Sequence, residues 1–254
     1  MLMVVREDAM LSHEWAPCAW NRPVFLALVF FAAEWNAFTA SAAPPSEASS
    51  SPTTSQTCEV RDFDILVDHK PTGNHRLTIT SDGKVTTVQV ESNVKIDFVV
   101  YVYTYKFRAT EVWRENRLAQ LDVRCEDGGK HTALTAKIDG ETSRVTLNGR
   151  PQQTARGVMT TAYWKLPPGE DQTRTVSMLD VETGIAKPAT IQRLGRTTLK
   201  VEGRPMTCRH FKVSGTSPAE LWFDQQSRLV RQTSVEDGHP VELRLRRIIE
   251  QTVE

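Results

Sequence analysis

The sequence predicts a mainly β fold: a large curved antiparallel sheet or incomplete β-barrel, with one short helix packed in or near its concave side. Three observations predict it. Short runs that alternate apolar with polar residues recur from Phe63 to Leu245, the period-2 pattern of half-buried strands. Tight turn signals (Ser81-Asp82-Gly83, Asp127-Gly128-Gly129, Asp139-Gly140, Asp237-Gly238) separate these runs, and turns that short join antiparallel neighbours. Near the C-terminus Val241, Leu243 and Leu245 share one face while Glu242, Arg244 and Arg246 share the other, which describes a sheet wetted on one side. A two-sheet β-sandwich is the alternative arrangement of the same strands.

Ahead of the sheet, Arg22 precedes the apolar run Val24–Ala33, and Ala40-Ser41-Ala42 comes shortly after. Positive charge, apolar core and small-residue site in that order make an export signal peptide over residues 1–42. The run falls short of the ~20 apolar residues that a spanning helix needs, and Glu34 and Asn36 interrupt it, so no transmembrane anchor is expected after cleavage. Cys18 lies before the run and Cys58 well after it, which leaves no cysteine at the cleavage site to lipidate. Residues 43–57 are rich in Pro, Ser and Thr and read as a disordered tether. A single antiparallel β domain is expected over 58–250, exported and periplasmic or secreted.

Within that domain Phe63, Ile65 and Val67 alternate with Asp62, Asp64, Leu66 and Asp68 as the first strand. Pro71-Thr72-Gly73-Asn74 turns, and Leu77 and Ile79 carry the alternation on. Val85–Val94 is the next strand. Ile96–Trp113 is too rich in β-branched and aromatic residues for a helix, and Leu118–Cys125 pairs with it across Glu115-Asn116-Arg117. His131–Ile138 and Val145–Leu147 follow at the next two turns. Asn148–Thr161 is polar and reads as irregular. Glu170–Asp180 carries acids at its start and Val176 and Leu179 on one side, and it stops before Gly184, which predicts the short helix. Six strands complete the domain: Ala189–Leu194, Thr197–Glu202, Met206–Val213, Glu220–Asp224, Leu229–Glu236 and Pro240–Ile249.

The chain holds 31 basic and 31 acidic residues. Removing 1–42 takes out two bases and four acids and leaves a slight positive balance, without the basic face that a nucleic-acid partner requires. Cys58, Cys125 and Cys208 remain. In an oxidising compartment an odd count means one disulfide and one leftover thiol, in any of three pairings.

Tyr101, Tyr103, Tyr105 and Phe107 occupy every second position, so a regular strand aims all four rings at one side. Trp113 extends that register, and Trp164 is a further candidate. Such a face either lines a cavity for an apolar or amphiphilic ligand or packs as core. Glu111 falls in the same register. Among rings its carboxyl would favour the neutral acid, suited to general-acid chemistry, unless Arg124 pairs with it or a bulge turns it outward. His69, His75, His131, His210 and His239 match no zinc signature. Cys208 and His210, at i and i+2, are the weak candidates for a metal or thiolate site; no resident metal or cofactor is expected. No Gly-x-Ser-x-Gly, phosphate loop or His-Glu-x-x-His is present.

Phe63–Arg76, Tyr105–Arg114, Thr161–Trp164, Leu179–Gly184 and Glu220–Asp224 with Arg228-Leu229-Val230 resemble an uncharacterised family of exported bacterial proteins, a domain of unknown function. The C-terminal Glu-Leu-Trp-Phe-Asp, turn, Arg-Leu-Val pattern is also similar to half-barrels of the lipoprotein-carrier type. That resemblance implies a curved antiparallel sheet around an acyl chain.

These readings lead to a non-enzymatic cell-envelope protein that binds an apolar or amphiphilic ligand, such as lipid, in a concave sheet lined by Tyr101, Tyr103, Tyr105, Phe107, Trp113 and Trp164. A structural or protein-interaction domain with a filled core, meeting an envelope partner, is the alternative. A hydrolase using Glu111 or the Cys208/His210 pair is the third.

Overall fold

The computed structural model describes residues 56–253 except 140–141, 153–157, 167–172, 182 and 216. The signal peptide and residues 43–55 of the tether lie outside the described residues. Strands account for nearly all regular structure: β1 (Gln56–Val67), β2 (Lys70–Ser81), β3 (Val85–Asp97), β4 (Val102–Arg114), β5 (Arg117–Asp127), β6 (Lys130–Asp139), β7 (Thr142–Leu147), β8 (Arg150–Gln152), β9 (Met159–Thr160), β10 (Arg174–Leu179), β11 (Ala186–Val201), β12 (Arg204–Gly215), β13 (Ala219–Phe223), β14 (Leu229–Glu236) and β15 (His239–Val253). Of the residues expected in the tether, Gln56 already pairs with β15, and Thr57 with both β15 and β2.

All fifteen strands form one open curved sheet. Its order runs from β8 down to β1, then from β15 down to β9, so the first and last strands are neighbours near the middle. Among the described residues every pair is antiparallel except β9 with β10. The inward residues of both halves, Phe63, Leu77, Val88 and Leu121 on one side and Phe211, Val213, Leu221 and Phe223 on the other, belong to a single core cluster. One sheet achieves that only by curling on itself. Each fully buried Phe or Leu adds roughly 1.5–3 kcal/mol of apolar burial, and Phe63, Phe211, Phe223 and Leu77 are among the most deeply buried side chains.

Several expectations are corrected. The helix expected over Glu170–Asp180 is not seen among its described residues, 170–172 lying outside them: Arg174–Leu179 is strand β10, paired with Ala186–Ile191 of β11. Thr175 and Val176 are poor helix formers, and the ladder offered by β11 outweighs the acidic start that suggested a helix. Ala189–Leu194 and Thr197–Glu202 are one strand, β11, with a bulge between Arg193 and Gly195. The stretch Ile96–Trp113 is broken by a turn at Phe98–Tyr101. Asn148–Thr161 contains the short strands β8 and β9.

Candidate functional site

Strand β4 carries the aromatic row, and the structure grades it along its length. Tyr101 lies outside the strand, exposed, stacked on Phe98 with ring centroids 4.6 Å apart. Tyr103 is half-buried and its hydroxyl donates to Asp127 Oδ1 at 2.6 Å. Tyr105, also half-buried, stacks on Phe107 at 6.4 Å. Phe107, Ala109, Glu111 and Trp113 are buried while Lys106, Arg108 and Arg114 are exposed, so the predicted alternation holds from Tyr105 inward.

At the inner end of this row the concave side is occupied by the segment Val158–Leu166. Val158, Thr160, Tyr163 and Leu166 are all buried. Arg61 of β1 donates from its guanidinium to the Trp164 carbonyl at 2.8 Å, Tyr163 donates its hydroxyl to the Ser217 carbonyl, and Lys165 donates to Asn116 Oδ1. Tyr163 itself sits at φ +46°, a strained conformation for an aromatic residue that the surrounding packing holds. The segment takes the place that the sequence assigned to a helix.

Glu111 is fully buried beneath this segment. Its Oε2 accepts from the Trp113 indole at 2.8 Å. Trp164 meets Trp113 edge to face at 5.6 Å, and the Lys165 ammonium lies 4.4 and 4.5 Å from the two ring centroids. Burial pushes the Glu111 carboxyl above the usual carboxylate range, against the Thr160 hydroxyl, the two indoles and Lys165, which favour its ionised form. Burial likewise holds Lys165 below its ordinary value, opposed by the Glu111 charge. Glu111 Oε1 and Trp164 Nε1 are each buried without a hydrogen-bond partner. The adjoining cavity, lined by Trp113, Met159, Thr160, Tyr163, Trp164 and Lys165, holds about 10 Å³, the space of one water. Arg124 is not the partner of Glu111: it is largely exposed and faces Asp122, because Leu121 is the residue opposite Glu111 on β5.

Cys208 and His210 do not converge. Cys208 is fully buried, and burial together with Asp224 pushes its thiol up to about 11. His210 stacks on Trp222 at 4.3 Å and its Nε2 lies 2.9 Å from Glu220 Oε2. The β11 bulge lies opposite this point, and the burial alternation of β12 changes phase between Cys208 and Phe211. Among the described residues no three His, Cys, Asp or Glu side chains are grouped to hold a metal. The expected disulfide is not formed either: Cys58, Cys125 and Cys208 all remain thiols, on β1, β5 and β12, none adjacent to another in the sheet.

Residues 63–246 match a family model described as a domain of unknown function, DUF6134. The protein belongs to the DUF6134 family. The crystal structure of a β-barrel-like protein of domain of unknown function DUF1849 from Brucella abortus is similar to it, with a TM-score of 0.58 and 8% identity over 77% of this chain and 98% of that chain. That likeness shows a shared barrel-like fold. A comparison with curated proteins found no match.

In the DUF6134 domain the residues that sequence reasoning passed over are polar ones. Arg61 is buried and ties β1 to the Val158–Leu166 segment, and buried Asp224 accepts from the Gln226 and Arg228 amides and from Arg228 Nε. A charged residue in strand alternation gives no sign of being buried, so no local signal marked Arg61. Asp224 begins a turn, where an Asx acceptor was readable.

Proposed function

We propose that this DUF6134 protein is a non-enzymatic domain of the bacterial cell envelope, delivered by export, that works through its outer surface and not through an internal ligand cavity. The filled concavity carries this reading: both halves of the sheet and Val158, Tyr163 and Leu166 share one cluster. A second cavity, between β11, β14 and β15, holds about 120 Å³, and ligand sites ordinarily offer roughly 300–1,000 Å³. Of the groups named for hydrolysis, Glu111 is enclosed beside space for one water, Cys208 is a buried thiol, and His210 is engaged by Trp222 and Glu220. Export rests on the order of charge, apolar run and small residues ahead of the domain.

Native mass spectrometry of the protein purified from a bacterial periplasm, followed by organic extraction, tests the filled interior. A bare polypeptide mass supports it. A discrete adduct that extracts as lipid, and disappears in Tyr103→Ala, overturns it in favour of a ligand on the concave aromatic row.

A further inference from the structure

The end of the hairpin joining β3 and β4 pairs with no other strand. Pairing of β3 with β2 ends at Val94, and pairing of β4 with β5 ends at Tyr105. The β5–β6 turn still holds the base of this hairpin, the Gly128 amide donating to the Thr104 carbonyl and the Tyr103 hydroxyl to Asp127 Oδ1, so the finger that pairs with no other strand lies between Asp97 and Tyr103. Its tip is Phe98-Val99-Val100-Tyr101-Val102, exposed by 45, 105, 88, 56 and 52% in that order. The turn centre is made of two β-branched valines, neither at positive φ, where hairpins favour Gly, Asn or Asp. The Phe98 amide donates to the Tyr101 carbonyl at 2.9 Å and the two rings stack, so the tip closes on itself.

Other exposed apolar side chains share this end of the sheet. Ile185 precedes β11 and Val235 is the last residue but one of β14; by the antiparallel order both stand at the end where β3 turns into β4. Four other turns at this end are polar: Asp68-His69, Gly128-Gly129, Asn148-Gly149 and Asp237-Gly238.

We infer that the Phe98–Val102 tip inserts into the headgroup and acyl boundary of a phospholipid bilayer, anchoring the domain to a membrane surface. This deepens the outer-surface reading by naming what that surface meets. Shape and area favour lipid over protein. A convex finger exposing on the order of 500 Å² of apolar surface is below the roughly 800 Å² per partner of a stable protein interface, and apolar side chains at a turn are what interfacial insertion buries. Tyr101 suits the interface by its amphipathic ring. The charges behind the tip are balanced, Lys95 with Asp97 and Lys106 with Glu126, so binding is driven by apolar burial and does not demand anionic lipid. Behind the finger the strands present Lys106, Arg108 and Arg124 outward, which keeps the sheet wall in water while the tip inserts.

Hydrogen–deuterium exchange of the full chain, with and without phosphatidylcholine vesicles, reads the tip separately from the N-terminal apolar run. Amides of 96–103 are expected to slow at least tenfold with vesicles, to the same degree at 0.1 and 0.5 M salt. In Val99→Asp/Val100→Asp that protection is lost while the melting temperature is unchanged, since both side chains are solvent-exposed. Equal exchange with and without vesicles overturns the proposal, as does protection that rises with protein concentration in the absence of lipid, which would mark self-association. Neither result bears on the native mass, so a failed tip and a ligand-filled interior remain distinguishable.

Discussion

Replacing His75 with glutamine tests whether the inner face of β2 is as dry as the structure has it. The His75 ring is buried, edge-on to Phe63 at 5.5 Å, with Nδ1 2.7 Å from Ser92 Oγ on β3 and Nε2 without a partner. Burial alone lowers its pKa from 6.5 to about 4. Protonation would place a charge and an unanswered N–H against apolar neighbours. Between pH 6.5 and about 4 the unfolded chain holds this proton and the folded chain does not, so stability falls as pH falls through that window. At about 1.4 kcal/mol per tenfold of proton affinity, the loss is about 2 kcal/mol at pH 5 and about 3 kcal/mol once the folded-state value is passed. The glutamine of His75→Gln keeps an amide for Ser92 but takes no proton. Urea unfolding of both proteins at pH 7, 6, 5 and 4 isolates the effect, because every other titrating group is common to the two and cancels in the difference. The stability of wild type relative to His75→Gln should drop by about 3 kcal/mol across the series. A difference that stays constant within about 0.5 kcal/mol refutes the dry β2 face.

Two further perturbations test the close approach of β2 to β3 and the Glu111 site. A Cβ on Gly73 would lie 2.0 Å from the Asn93 carbonyl oxygen and 2.9 Å from Val94 Cα. Gly73→Ala must therefore part β2 from β3, at a cost of about 3 kcal/mol; an unchanged melting temperature contradicts that approach. Glu111 has a raised folded-state pKa, so its contribution is present below the ordinary carboxylate range and is lost as pH rises through the folded-state value. Glu111→Gln should remove that decline, and identical slopes of melting temperature against pH for wild type and variant would show that Glu111 is not desolvated.

How much of this was legible in the sequence depends on distance along the chain. Hairpins announced by Asp127-Gly128-Gly129 or Asp237-Gly238 are local, and they form as expected at the β5–β6 and β14–β15 turns. The pairing of β1 with β15 joins residues nearly two hundred positions apart, and no turn signal encodes it. Bulges defeat simple alternation: the shift at Asp62/Phe63 against Arg247/Leu245 breaks the face that Val241, Leu243 and Leu245 define. Glu242, read as wetted, is covered by Arg231 and Arg244. The misread helix shows the same limit, since acids and a three-residue apolar spacing are local features while the β11 ladder is not.

The aromatic row of β4 shows why the site was only half legible. Period-2 alternation names the face a side chain points to, but not how far along the strand the sheet still has neighbours. Tyr101, Tyr103, Tyr105, Phe107 and Trp113 read as one face. In the structure they pass from solvent, through a half-buried zone, to the core beside Glu111. Folding accounts for Phe107 and Trp113, which would cost several kcal/mol to truncate as buried aromatics do. It does not account for Val99 and Val100, which touch little, lower turn propensity, and sit where neighbouring hairpins use Gly, Asn and Asp. Apolar residues that the fold does not use are better clues to activity than those it does. Among the described residues they concentrate at the turn of the β3–β4 hairpin.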